Sequence, residues 1–468
     1  MAVPIIGPSY QLTTRKADVQ RSVNLHLVGM ETPGKAPFIM DSVPGLLLFA
    51  ALGAPIRGSL TAAGRTFTVS GSTLYEVAAD GSVTTRGTLG TSTGVASMAY
   101  GLTQLVIVDG PNGYVLTLAT NVFVQITAAG FYGSVRVRFI DNYFLFIHPN
   151  TQQFYISAIN DATSDNPLDF ASAESQPDNL IGFEVDHSEI WLFGSLSTEV
   201  WFNSGAAAFP FQRNRGASIE IGCQAANSVQ KLDNSVFWIG QDINGSGIVF
   251  RSQGFQAARI STQAIEQAIQ QSTDLTSATS YTYQDRGLSF YCINAPGLTS
   301  TWCYEVSTGT WAERCDLDSL GMFIQSRVQN YVFAFGKRLV GALDGNLYEL
   351  SHTTYMNYLD PLVRMRITPH DVVPGRVRQY FSAFYLDGTT GTAGQGVTGF
   401  VELSWSKDSG ATWSNAITRS IGLTGQRFAR LLWTLLGSAR DRVWKIKYSG
   451  NTSFAIIDGA AASTPGEY

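Results

Sequence analysis

An octapeptide near the C-terminal end of the sequence has the residue types needed to build a rigid, hydrogen-bonded turn. It reads SKDSGATW and places Ser406, Asp408, Gly410 and Trp413 at the spacing S-x-D-x-G-x-x-W, which is an Asp box. In such a hairpin the aspartate carboxylate accepts hydrogen bonds from turn amides, and the tryptophan packs beneath the turn. The motif therefore predicts a structural Asp-box turn whose residues have no catalytic role.

The same pattern occurs in propellers of the sialidase type, which offers an alternative function: a glycan-binding protein or a glycosidase. Such an enzyme needs several arginines around the substrate carboxylate and a tyrosine–glutamate pair as nucleophile. The sequence has one box, and it lacks the serine-elbow, zinc-protease, P-loop and dinucleotide-binding motifs. We therefore expect no enzyme, no catalytic residue and no cofactor, and the sialidase-like propeller remains the alternative.

Cysteine and histidine are too scattered to indicate a metal centre. The four cysteines, at positions 223, 292, 303 and 315, show no C-x-x-C spacing, and the five histidines form no cluster. This pattern favours neither a zinc site nor a disulfide framework. We expect reduced, mostly buried thiols and no bound metal.

Positive charge is concentrated near the C-terminal end. From residue 360 onward there are 12 Lys and Arg residues against 8 Asp and Glu, whereas residues 1–359 have 19 against 28. A local positive potential attracts acidic proteins and DNA. The candidate interface residues are Arg427, Arg430, Arg440, Arg442 and Lys445. They predict contact with an acidic protein or with passing DNA, and a solvated strand face is the alternative.

Strand-forming hairpins recur along the chain at a regular interval. Each combines an alternating apolar strand, a turn rich in Gly, Asn or Asp, and a second strand. Successive hairpins centre on Phe67, Val106, Phe144, Trp191, Phe237, Phe290 and Leu339. Their spacings of 39, 38, 47, 46, 53 and 49 residues are close to the ~40 to 50 residues of a four-stranded propeller blade. The repeat predicts an all-β chain with a β-propeller of six or seven blades.

Composition and local pattern extend this prediction to the whole chain. Only 14% of the residues are charged, and 46 glycines indicate many tight turns. Long alternating strands after residue 358 predict an additional β-sandwich. We predict an N-terminal extended segment with the first strands at residues 1–50, the propeller at 51–358 and the sandwich at 359–468. A packing helix is expected at residues 261–272, and we expect neither a membrane span nor a signal peptide.

Two stretches resemble the tail hub, or nozzle, of short-tailed phages, a family often described as packaged DNA stabilisation proteins. The first carries Val23 and Asn24 and then the turn Pro44-Gly45-Leu46. The second runs through Glu174 to Asp178, Ile181 and Gly182 to Phe193, Gly194, Ser195, Thr198 and Glu199. The helix ISTQAIEQAI and the basic strand from Arg440 to Lys447 also resemble family segments. Ser22 departs from the family, which often has proline there.

The resemblance implies a structural protein of the virion that forms a homohexamer in the phage tail and is made in the host cytoplasm. It implies a position below the portal and its adaptor ring, the head-to-tail connector, with the sandwich facing the tail or the adaptor. There the ring would stabilise packaged DNA, form the ejection channel for double-stranded DNA, and attach a tail needle or plug and tailspikes or fibres. The low charge content independently favours extensive buried interfaces.

Overall fold

A computed structural model describes residues 3–32, 34–372, 377–393 and 399–466, and strands dominate this part of the chain. The outer limits of the first and last predicted domains, residues 1 and 468, lie outside the described residues. The chain opens with five strands: β1 Tyr10–Gln11, β2 Val19–Val23, β3 Leu25–Gly29, β4 Phe38–Ser42 and β5 Gly45–Ala51. The first four belong to a β-sandwich, and the fifth belongs to a β-propeller.

Seven blades of antiparallel strands follow in the described residues. The first blade contains β6 Ile56–Ala62, β7 Arg65–Ser70, β8 Thr73–Val77 and β9 Val83–Thr88, and the second contains β10 Ser97–Gly101, β11 Gln104–Val108, β12 Gly113–Thr117 and β13 Val122–Gln125. The third contains β14 Val137–Ile140, β15 Tyr143–Ile147, β16 Gln153–Ala158 and β17 Asp161–Ser172. The fourth contains β18 Leu180–Asp186, β19 Glu189–Gly194, β20 Thr198–Asn203 and β21 Phe211–Ile219. The fifth contains β22 Gly222–Cys223, β23 Gln230–Leu232, β24 Ser235–Asp242, β25 Gly245–Gln253 and β26 Gln256–Arg259. The sixth contains β27 Thr279–Asp285, β28 Leu288–Asn294, β29 Thr301–Glu305 and β30 Thr310–Leu317, with β31 Phe323–Gln325 beside β30. The seventh contains β32 Val328–Ala334, β33 Lys337–Ala342 and β34 Asn346–Ser351.

The last blade of the propeller is completed by a strand that precedes the first blade in the sequence. The innermost strands of successive blades contact one another around the ring, and β32 of the seventh blade contacts β6 of the first. The seventh blade takes its fourth strand from β5, which pairs antiparallel with β34 from Gly45 opposite Ser351 to Ala51 opposite Asn346. Closure therefore joins the segment before the first blade to the last blade.

The predicted hairpins occupy equivalent places in all seven blades. Phe67, Val106, Phe144, Trp191, Phe237, Phe290 and Leu339 lie on the second strand of successive blades, and all are buried. Both faces of a blade are covered by its neighbours, so its central strands carry apolar residues on both faces, as β11 does with four consecutive buried residues. The predicted all-β propeller is confirmed, and its blade number is seven.

The sandwich combines the N-terminal strands with the last part of the chain. After β35 Met356–Asn357 and β36 Asp360–Pro361, its strands are β37 Arg364–Ile367, β38 Asp371–Val372, β39 Gln379–Gly388, β40 Phe400–Ser406, β41 Ile417–Ser420, β42 Leu431–Thr434, β43 Ser438–Ala439, β44 Asp441–Tyr448 and β45 Ile456–Pro465. One sheet runs β2-β37-β44-β40-β41 and the other β3-β4-β45-β39-β42. Trp433, Trp444 and Met40 are fully buried between them. The predicted additional sandwich is confirmed.

One β-sheet extends from the propeller into the sandwich. The outer strand of the sixth blade, β30, pairs in parallel with β2 at Glu313 opposite Val23, and β2 pairs with β37. The predicted N-terminal segment is therefore divided between the two units, while the predicted domain limits themselves stay a prediction.

Helical structure is confined to short connections in the described residues. The helix α1 Gln263–Ile269 falls inside the predicted helical segment and buries Ala264, Ile265 and Ile269. Single 3-10 turns cover Ala226–Ser228 and Leu275–Ser277. None of the helices in the described ranges is long and apolar enough to cross a membrane.

Candidate interface on the β-sandwich

The Asp-box hairpin connects β40 to β41 at one edge of the sandwich. The Ser406 hydroxyl donates to the Asp408 carboxylate at 2.6 Å and accepts from the Gly410 amide at 2.8 Å. The same carboxylate accepts from the Thr412 amide at 2.9 Å and from its hydroxyl at 2.6 Å. These hydrogen bonds from Ser406 and Thr412 lower the pKa of Asp408 to about 2. The carboxylate is thus engaged by its own turn.

Trp413 and Lys445 form a separate contact on the outer face of the β2-β37-β44-β40-β41 sheet. The Lys445 ammonium lies 4.1 Å from the centre of the Trp413 ring, a cation–π distance. Trp413 also packs on the apolar cluster that contains Val443 and Ile367. Partial burial lowers the pKa of Lys445. This lysine is therefore held at the Asp-box hairpin.

Arg442 is buried inside the sandwich. It has 0% exposed surface, its guanidinium lies 4.0 Å from the centre of the Phe381 ring, and it donates to the Leu436 carbonyl at 2.9 Å. The rings of Trp405 and Trp444 also face it. Burial lowers its pKa to about 10. Arg442 is thus unavailable to a docking partner of the folded chain, because its place on β44 puts it on the inner face with Trp444.

The other three arginines of the predicted interface are exposed, but the structure does not bring them together. Arg427 and Arg430 lie in the loop between β41 and β42, where the Arg427 carbonyl accepts from the Thr390 hydroxyl at 3.0 Å. Arg440 follows β43, whose residue Ala439 pairs with Gln379 at the opposite end of β39. The candidate interface therefore consists of two exposed loop regions at the two ends of one strand.

Each of these regions contains an exposed apolar side chain that our sequence analysis did not select. Phe428, between Arg427 and Arg430, is 97% exposed, and Leu435, in the turn between β42 and β43, is 91% exposed. Large apolar side chains at protrusions, beside arginines, are typical anchors of protein interfaces. The signal was present in the sequence, since Phe428 interrupts a polar, glycine-containing loop.

The described residues contain no assembled metal site. No group of three or more His, Cys, Asp and Glu side chains in this part of the chain could hold a metal ion. A cleft of about 430 Å³ between β1, α1 and the sixth blade is lined by Arg21 and Glu313 among polar residues. Those two charges bind each other, with Arg21 Nε donating to Glu313 at 3.0 Å.

Both parts of the chain match family models of one phage protein. Residues 1–355 match the model described as bacteriophage P22 Gp10, beta-propeller, and residues 373–463 match bacteriophage P22 Gp10, beta-sandwich. The chain belongs to the P22 Gp10 family. It is a structural phage tail protein and not an enzyme, in agreement with the resemblance noted from the sequence.

Similarity to individual proteins is confined to the fold. No curated protein matches the chain. Similar solved structures include the extracellular domain of a putative one component system, BT4673 from B. thetaiotaomicron, with 11% identity, coverage of 74% of this chain and 45% of that chain, and a TM-score of 0.44. Virginiamycin B lyase from Staphylococcus aureus has 8% identity, coverage of 70% and 98%, and a TM-score of 0.42. The computationally designed Ika8 protein has 12% identity, coverage of 65% and 99%, and a TM-score of 0.39.

Asn24, which carries part of the P22 Gp10 resemblance, connects the two domains. Its side-chain amide donates to the carbonyls of Cys315 at 2.9 Å and Val363 at 2.8 Å. Its side-chain oxygen accepts from the Cys315 amide at 3.0 Å. Its φ of 54° lies in the left-handed region, which asparagine tolerates better than most residues. Asn24 therefore fixes the point where β2 leaves the sixth blade.

The second block of P22 Gp10 resemblance organises the loops of the fourth blade. Asp178 accepts from the amides of Leu196 at 2.6 Å and Ser197 at 3.0 Å. Glu199 accepts from the Ser175 amide and from the Trp201 indole. Both carboxylates are buried and satisfy groups of neighbouring turns. Asp178 and Glu199 thus stabilise these loops through hydrogen bonds.

Proposed function

We propose that this protein is the tail hub of a phage, with six copies in a ring below the portal and its adaptor ring. The ring retains packaged DNA, forms the channel through which double-stranded DNA leaves, and attaches a tail needle or plug and tailspikes or fibres. Synthesis takes place in the host cytoplasm. Membership of the P22 Gp10 family over both domains is the observation that carries the proposal.

The sheet that continues from the propeller into the sandwich holds the two domains in a fixed orientation, which supports a role in a rigid ring. The parallel pairing of β30 with β2 is reinforced by Arg21, whose guanidinium binds the buried Glu313 carboxylate. Ser9 and Ser300 donate to the same carboxylate at 3.0 and 2.7 Å. A buried ion pair with additional hydrogen bonds resists reorientation of its partners. The two domains therefore suit a ring that holds a pressurised genome.

The charge distribution supports a channel that does not hold DNA back. Residues 1–359 contain 19 Lys and Arg against 28 Asp and Glu, so this part of the chain repels phosphate overall. A ring whose lumen is lined by this part would bind passing DNA weakly.

The two exposed loop regions are the proposed docking surface for an acidic face of the adaptor ring or of a neighbouring copy. Phe428 provides an apolar anchor between Arg427 and Arg430, and Leu435 lies at the same end of β39 as Arg440. Arginine and aromatic residues dominate the energetics of such contacts, and surrounding positive charge accelerates encounter.

The test is retention of purified protein on tail-less, DNA-filled heads. We expect Arg427→Ala with Arg430→Ala, and separately Phe428→Ala, to leave the protomer folded and abolish retention. Lys407→Ala is the matched control, since it removes an exposed positive charge from the Asp-box hairpin of the same domain. Normal assembly with premature DNA release would assign the arginines to the channel instead. Normal assembly with normal DNA release would defeat both assignments.

Symmetry analysis of the assembled particle tests the ring itself. We expect six copies coaxial with the DNA, and a protomer that is monomeric in free solution because ring closure needs the adaptor as a template. A twofold or eightfold arrangement in the tail would contradict the proposal.

A further inference from the structure

Two cysteines of the sixth blade face each other across neighbouring strands. Cys292 on β28 and Cys303 on β29 are directly opposite in the strand register. Their sulphur atoms are 2.7 Å apart, closer to the ~2.05 Å of a disulfide bond than to an ordinary contact of two thiols. Both side chains are buried. Joining the two sulphur atoms therefore requires little movement of either strand.

A buried positive charge lies beside this pair. Arg314 on β30 is buried, and its guanidinium lies 4.7 Å from the centre of the Tyr283 ring, to whose hydroxyl it donates. The groups that its charge faces are tyrosine hydroxyls and the two cysteines. Burial alone raises a thiol pKa, but the hydrogen bond from Cys303 and the charge of Arg314 leave the pKa of Cys292 below its ordinary value. Cys292 is thus the better nucleophile of the two.

We propose that Cys292 and Cys303 form a redox site that hydrogen peroxide converts from a dithiol to a disulfide. The Cys292 thiolate attacks one peroxide oxygen, the O–O bond breaks, and a sulfenic acid forms. The sulphur of Cys303 then attacks that of Cys292, the S–S bond forms, and water leaves. Two thiols lose two electrons, the peroxide is reduced to two water molecules, and the thiol protons end in that water.

The other two cysteines lack such a partner in the described residues. The Cys223 thiol donates to the Ala225 carbonyl at 3.1 Å, and burial raises its pKa to about 11. The Cys315 thiol donates to the Ser300 hydroxyl at 3.3 Å, and burial raises its pKa as well. These thiols are the internal controls, because their burial is similar but their hydrogen-bond partners are oxygen atoms and not another cysteine.

Oxidation would tie together the second and third strands of the sixth blade, whose fourth strand joins the sandwich. A cross-link between Cys292 and Cys303 restricts the unfolded chain, so the oxidised protein unfolds at a higher temperature than the reduced protein. The inference goes beyond the proposed tail function and does not depend on it, since it concerns the isolated chain.

The experiment treats the reduced full-length protein with hydrogen peroxide and then counts free thiols after unfolding. The count should fall from four to two, with a mass loss of about 2 Da for the two hydrogen atoms. Chymotrypsin cleaves between the cysteines, after Leu298 and Trp302, so the link should hold two peptides together until dithiothreitol separates them. Reduction should also reverse the rise in unfolding temperature.

Matched variants separate this site from general oxidation. Cys223→Ala should still form the link and retain one free thiol, whereas Cys303→Ala should form none. Four intact thiols after peroxide treatment would overturn the proposal. So would a link that includes Cys223 or Cys315, or oxygen addition to Cys292 without a link.

Discussion

The imidazole ring of His26 packs edge-on against the phenyl ring of Phe290, with the ring centres 5.3 Å apart. His26 lies on β3 of the sandwich and Phe290 on β28 of the sixth blade, so this contact crosses between the domains. The imidazole Nδ1 is buried without a hydrogen-bond partner in the described structure. Burial, assisted by the charge of Arg314, lowers the pKa of His26 to about 3. The domain contact therefore requires a neutral histidine.

This requirement predicts acid sensitivity. Below the ordinary histidine pKa of 6.5 the unfolded chain binds a proton that folded His26 rejects, so the free energy of unfolding falls by about 1.4 kcal/mol per pH unit. Above that pKa the histidine is neutral in both states and has no effect. Denaturant titrations should show this decline begin near pH 6.5 and approach its full slope by about pH 5.5. His26→Met should remove this decline, because methionine carries no titrating group.

Asn24 should stabilise the junction through both its side chain and its backbone conformation. Asn24→Ala removes the hydrogen bonds to Cys315 and Val363 and places alanine at a φ of 54°, for a loss of about 3 kcal/mol. Asn24→Gly loses the same hydrogen bonds but tolerates the backbone, so we expect a loss of about 2 kcal/mol. Equilibrium unfolding measures both. A glycine variant less stable than the alanine variant would contradict the backbone contribution.

Truncation of Arg442 should destabilise the protein, whereas truncation of Arg440 should have almost no effect on stability. Arg442→Ala leaves a cavity against Phe381 and should cost about 2 to 4 kcal/mol of unfolding free energy. Arg442→Met fills most of that space and removes a buried charge, so its effect should stay within about 1 kcal/mol. Arg440→Ala, at an exposed position, should change stability by less than about 0.5 kcal/mol. Thermal or denaturant unfolding of the three variants measures these differences. Equal losses for Arg442→Ala and Arg440→Ala would contradict the burial of Arg442.

The closing strand of the propeller offers a matched pair of leucines. Leu46 is 5% exposed and packs with Tyr348 and Tyr281, whereas Leu47 is 48% exposed. Leu46→Ala should cost about 2 to 5 kcal/mol, because it empties part of the core between the sixth and seventh blades. Leu47→Ala should cost under about 1 kcal/mol. Similar losses for both would mean that β5 does not close the ring as described.

The Asp-box turn should be structural and sensitive to strong acid. Since hydrogen bonds lower the pKa of Asp408 to about 2, its contribution is present above its ordinary value of 3.8 and disappears as pH falls from there toward 2. Asp408→Ala should increase hydrogen exchange at the Thr412 amide at neutral pH without changing the propeller. Wild-type protein should release no sialic acid from glycans, and release that this substitution abolished would restore the glycosidase alternative.

The propeller was predictable because a local pattern repeats in it. Every blade presents the same hairpin, so residues such as Phe67 and Leu339 share a sequence context that reveals their place. Pairing between strands that are distant in sequence has no such local pattern. Nothing in the sequence of β5 indicates that its partner is β34, and the pairing of Val23 with Glu313 also joins segments far apart. The sequence therefore indicated the units but not their connections.

The exposure of the candidate interface residues could be predicted from the sequence only in part, for a different reason. Net charge along β44 suggested one basic face, but strand alternation places Arg442 on the inner side with Trp444 and Ile446. Applying the period of two to this strand would have separated Arg442 from Lys445. The exposure of Phe428 depends on how its loop leaves the sheet edge, which the residue types alone do not determine.

The strand that closes the propeller also sets when the chain can finish folding. Gly45 pairs with Ser351, which is 306 residues further along the chain. At bacterial rates of synthesis, the ribosome therefore makes the partner of β5 on the order of 15 to 60 s after β5 itself. During that interval the first blade lacks its neighbour in the ring, and the unpaired edge of β5 invites association with other nascent chains. Productive folding is thus completed after translation of the last blade, and truncated translation products carry an open edge that favours aggregation.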